Sequence, residues 1–466
     1  MSLIGRIKRW FKAMFKTNAE EIFQVSQATT PTMDSVIAQC ARIYGGVPDW
    51  VKNDDNISTV NFAKTVCSET ARLATLAINI TIDGSARAEW LQEQIDRIYY
   101  QLRHWTEYAC AYGTVILKPT VDRISIVLPE DFIVTEQANE QVLGAVFIDH
   151  AAIDEQYYTR LEYHRFEGDI YVITNRFYVS NSSEKLGNAC DVSDTPWDGI
   201  EPEVAIQNLD KPLFAVLRTP QANNLDIGSS LGLPIYGEAI EELKDLDIAY
   251  SRNAKEIFDS KRTILLDSDR LIPTGTRVGA LYGGFDSARE AMQLPDYVKM
   301  VYGNGQDEFY QEINPTLNTE VRIKGINNLL SQIGFKCGFS NGYFVFDEKT
   351  GMMTATEVEA DDRRTIQLIK DIRDKIESCL DDLIYAVNVF ADLYGLAPAG
   401  DYEVVYDFGD IVYNREEDKI RWWQYVQANK VPAWLYFVKF EGMSEDDAKA
   451  MVTEAAPNAP PLFGEE

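Results

Sequence analysis

Apolar residues recur every three to four positions over three long stretches of this chain, and every second position over another. From Leu231 to Lys261 the recurring set is Tyr236, Ile240, Leu243, Leu246, Tyr250 and Ile257, which predicts a helix of about thirty residues with one sticky face. Its other faces carry Glu238, Glu241, Glu242, Asp245, Glu256 and Asp259 against Lys244, Arg252, Lys255 and Lys261, a net acidic exterior. A second helix opens at Asn318 or Thr319, sets Ile323, Ile326, Leu329, Leu330 and Ile333 on one side, and ends in the region Gly334 to Gly338. The third starts near Thr354, where Thr354 with Glu357 and Thr356 with Glu359 both fit a capping box. Asp361 and Asp362 suit the positive end of its dipole, and Ile366, Ile369, Ile372, Ile376, Leu380, Leu383, Val387 and Phe390 carry the stripe to Gly395 and Pro398. Helices this long, separated by a non-catalytic insert, suit a structural machine part better than an enzyme pocket.

Upstream, Asn56 to Ile80 and Glu89 to Ala111 read as helices. Between Thr114 and Val179 the period changes to two, with strands at 115–118, 123–128, 132–135, 142–149, 157–166 and 170–179, which predicts an antiparallel meander closed by a hairpin at Glu167-Gly168-Asp169. Ser180 to Asp210 reads as loops, and Arg262 to Pro315 as a compact insertion with short strands near 263–266 and 297–302. Ser340 to Met353 is a loop. A strand over 402–408, a helix over 415–428 and a small helical end around 434–453 close the chain, with an Ala/Pro tail expected to be disordered.

The composition narrows the partners. With 466 residues and 45% hydrophobic content the chain can build two or three domains, and a formal charge of -29 argues against an ordinary nucleic-acid binder. The charge is also uneven. The first 18 residues hold Arg6, Lys8, Arg9, Lys12 and Lys16 and no acid, leaving the remainder at about -34. Alternation of those bases with Leu3, Ile4, Ile7, Trp10, Phe11, Met14 and Phe15 makes this opening a basic amphipathic helix by pattern. It fits a membrane-surface anchor or an arm docking on an acidic partner or neighbouring subunit, and the second reading is preferred. It lacks the features of a signal peptide, and no later stretch reads as a spanning helix, so a cytoplasmic protein is expected.

The search for chemistry yields little. Gly228-Ser229-Ser230-Leu231-Gly232 matches a nucleophile elbow, but no hydrophobic strand precedes it, and His104, His150 and His164 all lie upstream. The histidines lack metal-ligand spacing, neither common glycine-rich phosphate cradle occurs, and Asp267-x-Asp269 is a weak start to a calcium loop. Six scattered cysteines fit reduced, individually buried thiols. The expectation is a non-enzyme without cofactor or metal.

Leu161 to Phe166, Tyr171 to Asn175, Pro212-Leu213-Phe214 with Asn223-Asn224, Leu243 to Asp247 with Tyr250-Ser251, Gly338-Phe339-Ser340, Phe344 to Asp347, Gly351 and Thr354-Ala355-Thr356-Glu357-Val358 together resemble portal proteins of tailed double-stranded DNA phages, in particular long-tailed phages of Gram-positive hosts. The resemblance implies an α+β fold with an α/β wing, long stem helices, a small clip of short strands and a short helical crown. It implies a ring, usually of twelve subunits, at one capsid vertex, serving as conduit for DNA packaging and ejection, with terminase large subunit, head-completion (adaptor) protein, and capsid or scaffold protein as partners. Carried onto this sequence, residues 1–18 are the basic arm, 19–230 the wing, 231–261 and 319–339 the stem helices and 262–318 the clip between them. Residues 340–355 are the tunnel loop, 356–413 the long wing helix and strand, 414–454 the crown and 455–466 a disordered tail. Channel candidates are Arg322, Lys324, Lys336, Asn341 and Lys349, the last being the one base of the loop. Docking candidates on the clip are Asp267, Asp269, Arg270 and Tyr282, and the arm presents Arg6, Lys8, Arg9, Trp10 and Phe11. The competing expectation is a peripheral membrane or capsid-associated scaffold held by that arm.

Overall fold

The computed structural model describes residues 14–52, 57–120, 123–260, 262–267, 298–301, 310–314, 317–345, 355–409, 422–427, 430–441, 443–444 and 448–452. The chain forms two units, Met1–Phe408 and Gly409–Glu466.

In the first unit, residues 14–23 form helix α1, whose Phe15 and Ala19 are buried in a cluster with Ile133, Val146, Ile148 and Leu161. Helix α2 (Pro31–Tyr44) has proline in its first turn and buries Met33, Ile37, Cys40 and Ile43, one face at helical spacing. The helix expected over 56–80 is shorter. Helix α3 covers Phe62–Ala74, and Asn79–Asp83 is strand β1, because Ile78, Ile80 and Ile82 are buried in alternation beyond a left-handed Ala77. Helix α4 (Ala86–Tyr112) starts at Ser85, whose hydroxyl accepts from the Ala88 amide, and stops at Gly113.

The period-two region divides into two sheets rather than one meander. Strands β2 (Thr114–Pro119) and β3 (Ile124–Val127) form a hairpin, and the helical turn Pro129–Asp131 separates them from β4 (Phe132–Ala138), β5 (Gln141–Ile153), β6 (Gln156–Glu167) and β7 (Ile170–Ser180). Pro129 cannot donate to a ladder, so pairing ends there. The β6–β7 hairpin turns at Glu167↔Ile170 with Gly168 at φ +63°, as its sequence predicts. Residues read as loop contribute β8 (Asn188–Ala189) and β9 (Glu203–Gln207), both pairing with β7. The alternation of Val204 and Ile206 is too short to stand out from its polar surroundings. Strand β10 (Ala215–Arg218) completes the first sheet in the order β10-β2-β3.

Helix α5 runs from Ile240 to Asp259, nine residues later in its start than the periodicity predicts. Residues 231–236 are instead a buried, irregular segment. Two glycines cross back to back there: a Cβ on Gly113 would lie 2.2 Å from the Gly232 carbonyl oxygen, and one on Gly232 would lie 2.6 Å from that of Gly113. The Gly232 amide donates to Thr114 Oγ1 (2.8 Å) and the Ile235 amide to the Cys110 carbonyl (3.0 Å), so tertiary hydrogen bonds outcompete helix. The Gly-x-Ser-x-Gly motif is thus part of a chain crossing, with Ser229 and Ser230 both buried.

Beyond α5, strands β11 (Thr263–Asp267), β12 (Val298–Val301) and β13 (Tyr310–Ile313) form a small sheet ordered β12-β11-β13, parallel on one side and antiparallel on the other. Helix α6 covers Thr319–Lys336 and helix α7 Ala355–Tyr394, 40 residues or about 60 Å long. Ile369, Ile372, Ile376, Leu380, Leu383 and Val387 are buried, as their spacing predicts, while Thr356 falls inside the helix instead of capping it; Thr354 lies outside the described residues. Strand β14 (Glu403–Asp407) pairs antiparallel with β1. Two buried arginines tie these distant segments together. Arg87 donates to the carbonyls of Asn388, Ala397 and Pro398 and to Asp392, and Arg373 donates to the carbonyls of Leu73, Ala74 and Leu76 at the end of α3.

In the second unit residues 422–427 are helical, helix α8 spans Ala433–Glu441, and residues 448–452 are helical again. Trp423 packs on Tyr436 (ring centroids 5.2 Å), and Lys449 lies over the Trp434 ring at 4.6 Å.

Candidate functional site

Helices α5 and α6 pack side by side, and ion pairs fix their sense. Arg322, near the start of α6, pairs with Glu256 near the end of α5, and the Asn318 amide donates to the same carboxylate (3.4 Å). At the other end Lys336 reaches Glu242 (2.5 Å) and the Glu238 carbonyl (3.0 Å) near the start of α5. The pair is therefore antiparallel, with the β11–β13 sheet joined to its far end.

The proximal half of α5 is held in the fold. Leu243, Leu246, Asp247 and Ser251 are buried, all on one face by the i, i+3, i+4, i+8 rule. Asp247 accepts hydrogen bonds from Trp50 Nε1 (2.9 Å) and the Val60 amide (2.8 Å), and Ser251 Oγ accepts from the Ser58 amide (3.0 Å). Trp50, Ser58 and Val60 thus clasp the helix. The distal half is different. Tyr250, Ile257 and Phe258 on α5 are 47%, 51% and 68% exposed, and Val321 and Ile323 on the facing helix, Leu317 just before it, and Tyr310 and Ile313 on β13 are exposed too. The stripe predicted from sequence continues past the point where this subunit can cover it.

The connection from α6 to α7 begins on a built root. Gly338, at φ +92°, closes α6 in a Schellman motif: the Phe339 amide donates to the Gly334 carbonyl (2.9 Å) and the Gly338 amide to that of Phe335 (3.2 Å). Phe339 is fully buried, the Ser340 amide donates to Thr365 Oγ1 (2.9 Å), Ser331 hydrogen-bonds Asn341, and the Tyr343 hydroxyl donates to Glu69.

The candidate residues separate accordingly. Arg322 and Lys336 are paired across the α5–α6 seam, Lys324 is exposed on α6, and Asn341 is exposed at the loop root. Asp267 ends β11, where its backbone pairs with Val301. Lys349, Asp269, Arg270, Tyr282, Arg6, Lys8, Arg9, Trp10 and Phe11 lie outside the described residues. The clasp residues Asp247, Ser251 and Trp50 were not singled out as a site, although an acid in phase with Leu243, Leu246 and Tyr250 is a readable signal of a buried carboxylate.

Away from this arm, the sheet around β6 holds a buried charge network. Glu162 meets Lys118, Arg160 and His164, Lys118 also meets Asp149 (2.8 Å), and Arg160 Nε donates to Asn175 (3.1 Å). The Tyr171 hydroxyl accepts from the Leu213 amide (3.0 Å) and is hydrogen-bonded to His164 Nδ1 (2.8 Å). Burial would push Glu162 up, but Lys118 and Arg160 outweigh it and hold its carboxyl well below the usual range, while burial lowers His164. The segments Leu161–Phe166, Tyr171–Asn175 and Pro212–Phe214, which looked like family blocks, are the parts of this network. All six cysteines are free and five are buried; burial pushes the Cys40 and Cys110 thiols up to about 12. Among the described residues no three His, Cys, Asp or Glu side chains are placed to hold a metal, and no helix is long and apolar enough to cross a membrane.

The site is thus an arm of two antiparallel helices with exposed apolar side chains over its distal half and a small sheet joined to its end. Residues 43–456 match the family described as phage portal protein, SPP1 Gp6-like, and the chain belongs to that family of structural virion proteins. No curated protein matches the sequence.

Proposed function

We propose that about twelve copies of this chain close into a ring at one capsid vertex and form the conduit through which DNA is packaged and ejected. The observation that carries this reading is the uncovered apolar half of the α5–α6 arm within a chain of the portal family. Side chains such as Ile257 and Val321 are largely exposed in the single subunit, and head-to-tail packing of neighbouring arms covers them. In this reading α5 and α6 are the stem, β11–β13 belong to a clip that docks terminase and head-completion proteins through Asp267, Asp269, Arg270 and Tyr282, and the α6–α7 connection is a tunnel loop facing DNA. Residues 19–230 and 356–413 are the wing that meets capsid or scaffold protein, and residues 414–454 the crown. Assembly takes place in the host cytoplasm.

Net charge favours a sliding contact. A chain at -29 places an acidic wall around the bore, screened over about 8–10 Å, and each phosphate contact it forgoes leaves packaging DNA less bound. Arg322 and Lys336 spend their charge on Glu256 and Glu242, so Lys324, Asn341 and Lys349 are the better contacts. The basic arm Arg6–Phe11 docks on a neighbouring acidic subunit. Phe15 at the arm's end is buried in the fold, which favours this over a membrane anchor.

Negative-stain imaging of the full chain and of a variant lacking residues 1–13, which spares the buried Phe15, tests the reading. Annular particles with a central hole are expected from both. Monodisperse single subunits that float with anionic liposomes through the arm would overturn it in favour of a membrane-bound scaffold.

A further inference from the structure

The root of the α6–α7 connection is fixed by more than the helix it leaves. Phe344 packs edge-on against Phe62 of α3 (ring centroids 5.2 Å) and against Phe339 (4.8 Å). It fits there because Gly334 on α6 has no side chain, and a Cβ at that position would come within 3.2 Å of the Phe344 ring. Next to it the Tyr343 hydroxyl donates to Glu69 Oε1 on α3, while Arg72 one turn on grips the same carboxylate through Nε (2.8 Å) and Nη2 (2.6 Å). The Arg72 guanidinium in turn holds Glu69 below the usual carboxylate range, with burial opposing and Tyr343 assisting, so the acceptor stays ionised.

We infer that Tyr343, Glu69 and Arg72 are positioning residues that set where the α6–α7 connection leaves the fold, making α3 the element to which that connection is referenced. Two independent links run from the root to α3: an aromatic contact through Phe62 and a charge-assisted hydrogen bond through Glu69. Ser340, bonded to Thr365, and Asn341, bonded to Ser331, secure the same few residues to α7 and α6. Four contacts to helices within the five residues 340–344 exceed what ending a helix requires. If this connection is the DNA-facing loop of the proposed ring, on which reading the functional meaning rests, then a push on it is delivered to α3 through Tyr343.

The test is a double-mutant cycle on the full-length protein read by hydrogen–deuterium exchange. Tyr343→Phe removes one hydroxyl and leaves the ring stack, and Glu69→Gln keeps an acceptor oxygen but gives up its charge. Tyr343→Phe should speed exchange of the amides in residues 340–345 roughly three- to tenfold, Glu69→Gln less, and Glu69→Ala as much as Tyr343→Phe. Combining Tyr343→Phe with Glu69→Ala should add almost nothing to either, because both remove one bond. Exchange in α7, away from the root, should not change. Unaltered exchange in Tyr343→Phe, or effects that simply multiply in the double variant, would overturn the assignment. This readout needs no ring, so it fails separately from the portal reading: annular particles with an unresponsive root would reject the positioning role alone.

Discussion

Replacing Asp247 tests how the α5–α6 arm is fastened. Its buried carboxylate accepts from Trp50 Nε1 at 2.9 Å and from the Val60 amide at 2.8 Å, two neutral donors on a charged acceptor. Such bonds contribute about 1.5–3 kcal/mol each. In Asp247→Asn the amide oxygen can serve one donor, while the amide nitrogen faces the other and leaves it unpaired, a cost of about 2 kcal/mol. Asp247→Ala strands both donors but relieves the burial of a charge, so about 3–4 kcal/mol remains. For a unit of roughly 400 residues, unfolding entropy near 2.1 cal/mol/K per residue converts 3 kcal/mol into a fall of roughly 3–4 °C in melting temperature. Calorimetry measures that shift, and hydrogen exchange at the Val60 amide, freed in both variants or in Asp247→Ala alone, locates it. A melting temperature within about 1 °C of the parent for Asp247→Ala, with Val60 exchange unchanged, would refute the claim that this clasp holds the arm to the body.

Three further outcomes follow from the same geometry. Ile257→Ser with Val321→Ser should leave the subunit folded and reduce assembly, since covering a 51% exposed isoleucine removes roughly 90 Å² of apolar surface, about 2 kcal/mol per contact; mass photometry across concentration reads the shift, and undiminished assembly would contradict it. Stability should fall as pH is lowered from 7: His164, lowered in the fold, resists the proton that the unfolded chain takes up near pH 6.5, and the depressed Glu162 adds its loss below about pH 4.3. Melting curves of His164→Gln should lose the part that sets in below about pH 6.5, and an identical pH profile would count against the network. Lys349→Glu should alter packaging or DNA retention in particles while rings still form, whereas loss of rings would make that segment an interface.

Much of the helical architecture is legible because it is periodic. The stripe from Ile369 to Val387 is long enough that packing and local preference agree, and α6 stops at the glycine its sequence offers, Gly338, where the chain turns left-handed. The misreadings lie where tertiary contacts override period. Residues 231–236 share the helical spacing of α5, yet Gly232 and Ile235 give their amides to Thr114 and Cys110 on distant elements, which no local pattern reveals. Likewise β1 borrows its stability from β14, more than 300 residues away, so Ile78 and Ile80 read as the end of the preceding helix. At the candidate site, sequence identifies the bases but not their partners. Arg322 and Lys336 look like free cations until Glu256 and Glu242 are seen on the antiparallel helix, and Glu69 and Tyr343 are 274 positions apart.

The central claim is that the uncovered half of the α5–α6 arm is an interface between copies of this chain arranged around a bore. Native mass measurement of the purified protein, with imaging of the same sample, tests it most directly. The account predicts a closed species near twelve times 52.8 kDa with a central opening wide enough for duplex DNA. A protein that stays a single subunit at every concentration, alone and with capsid and scaffold proteins, would contradict it.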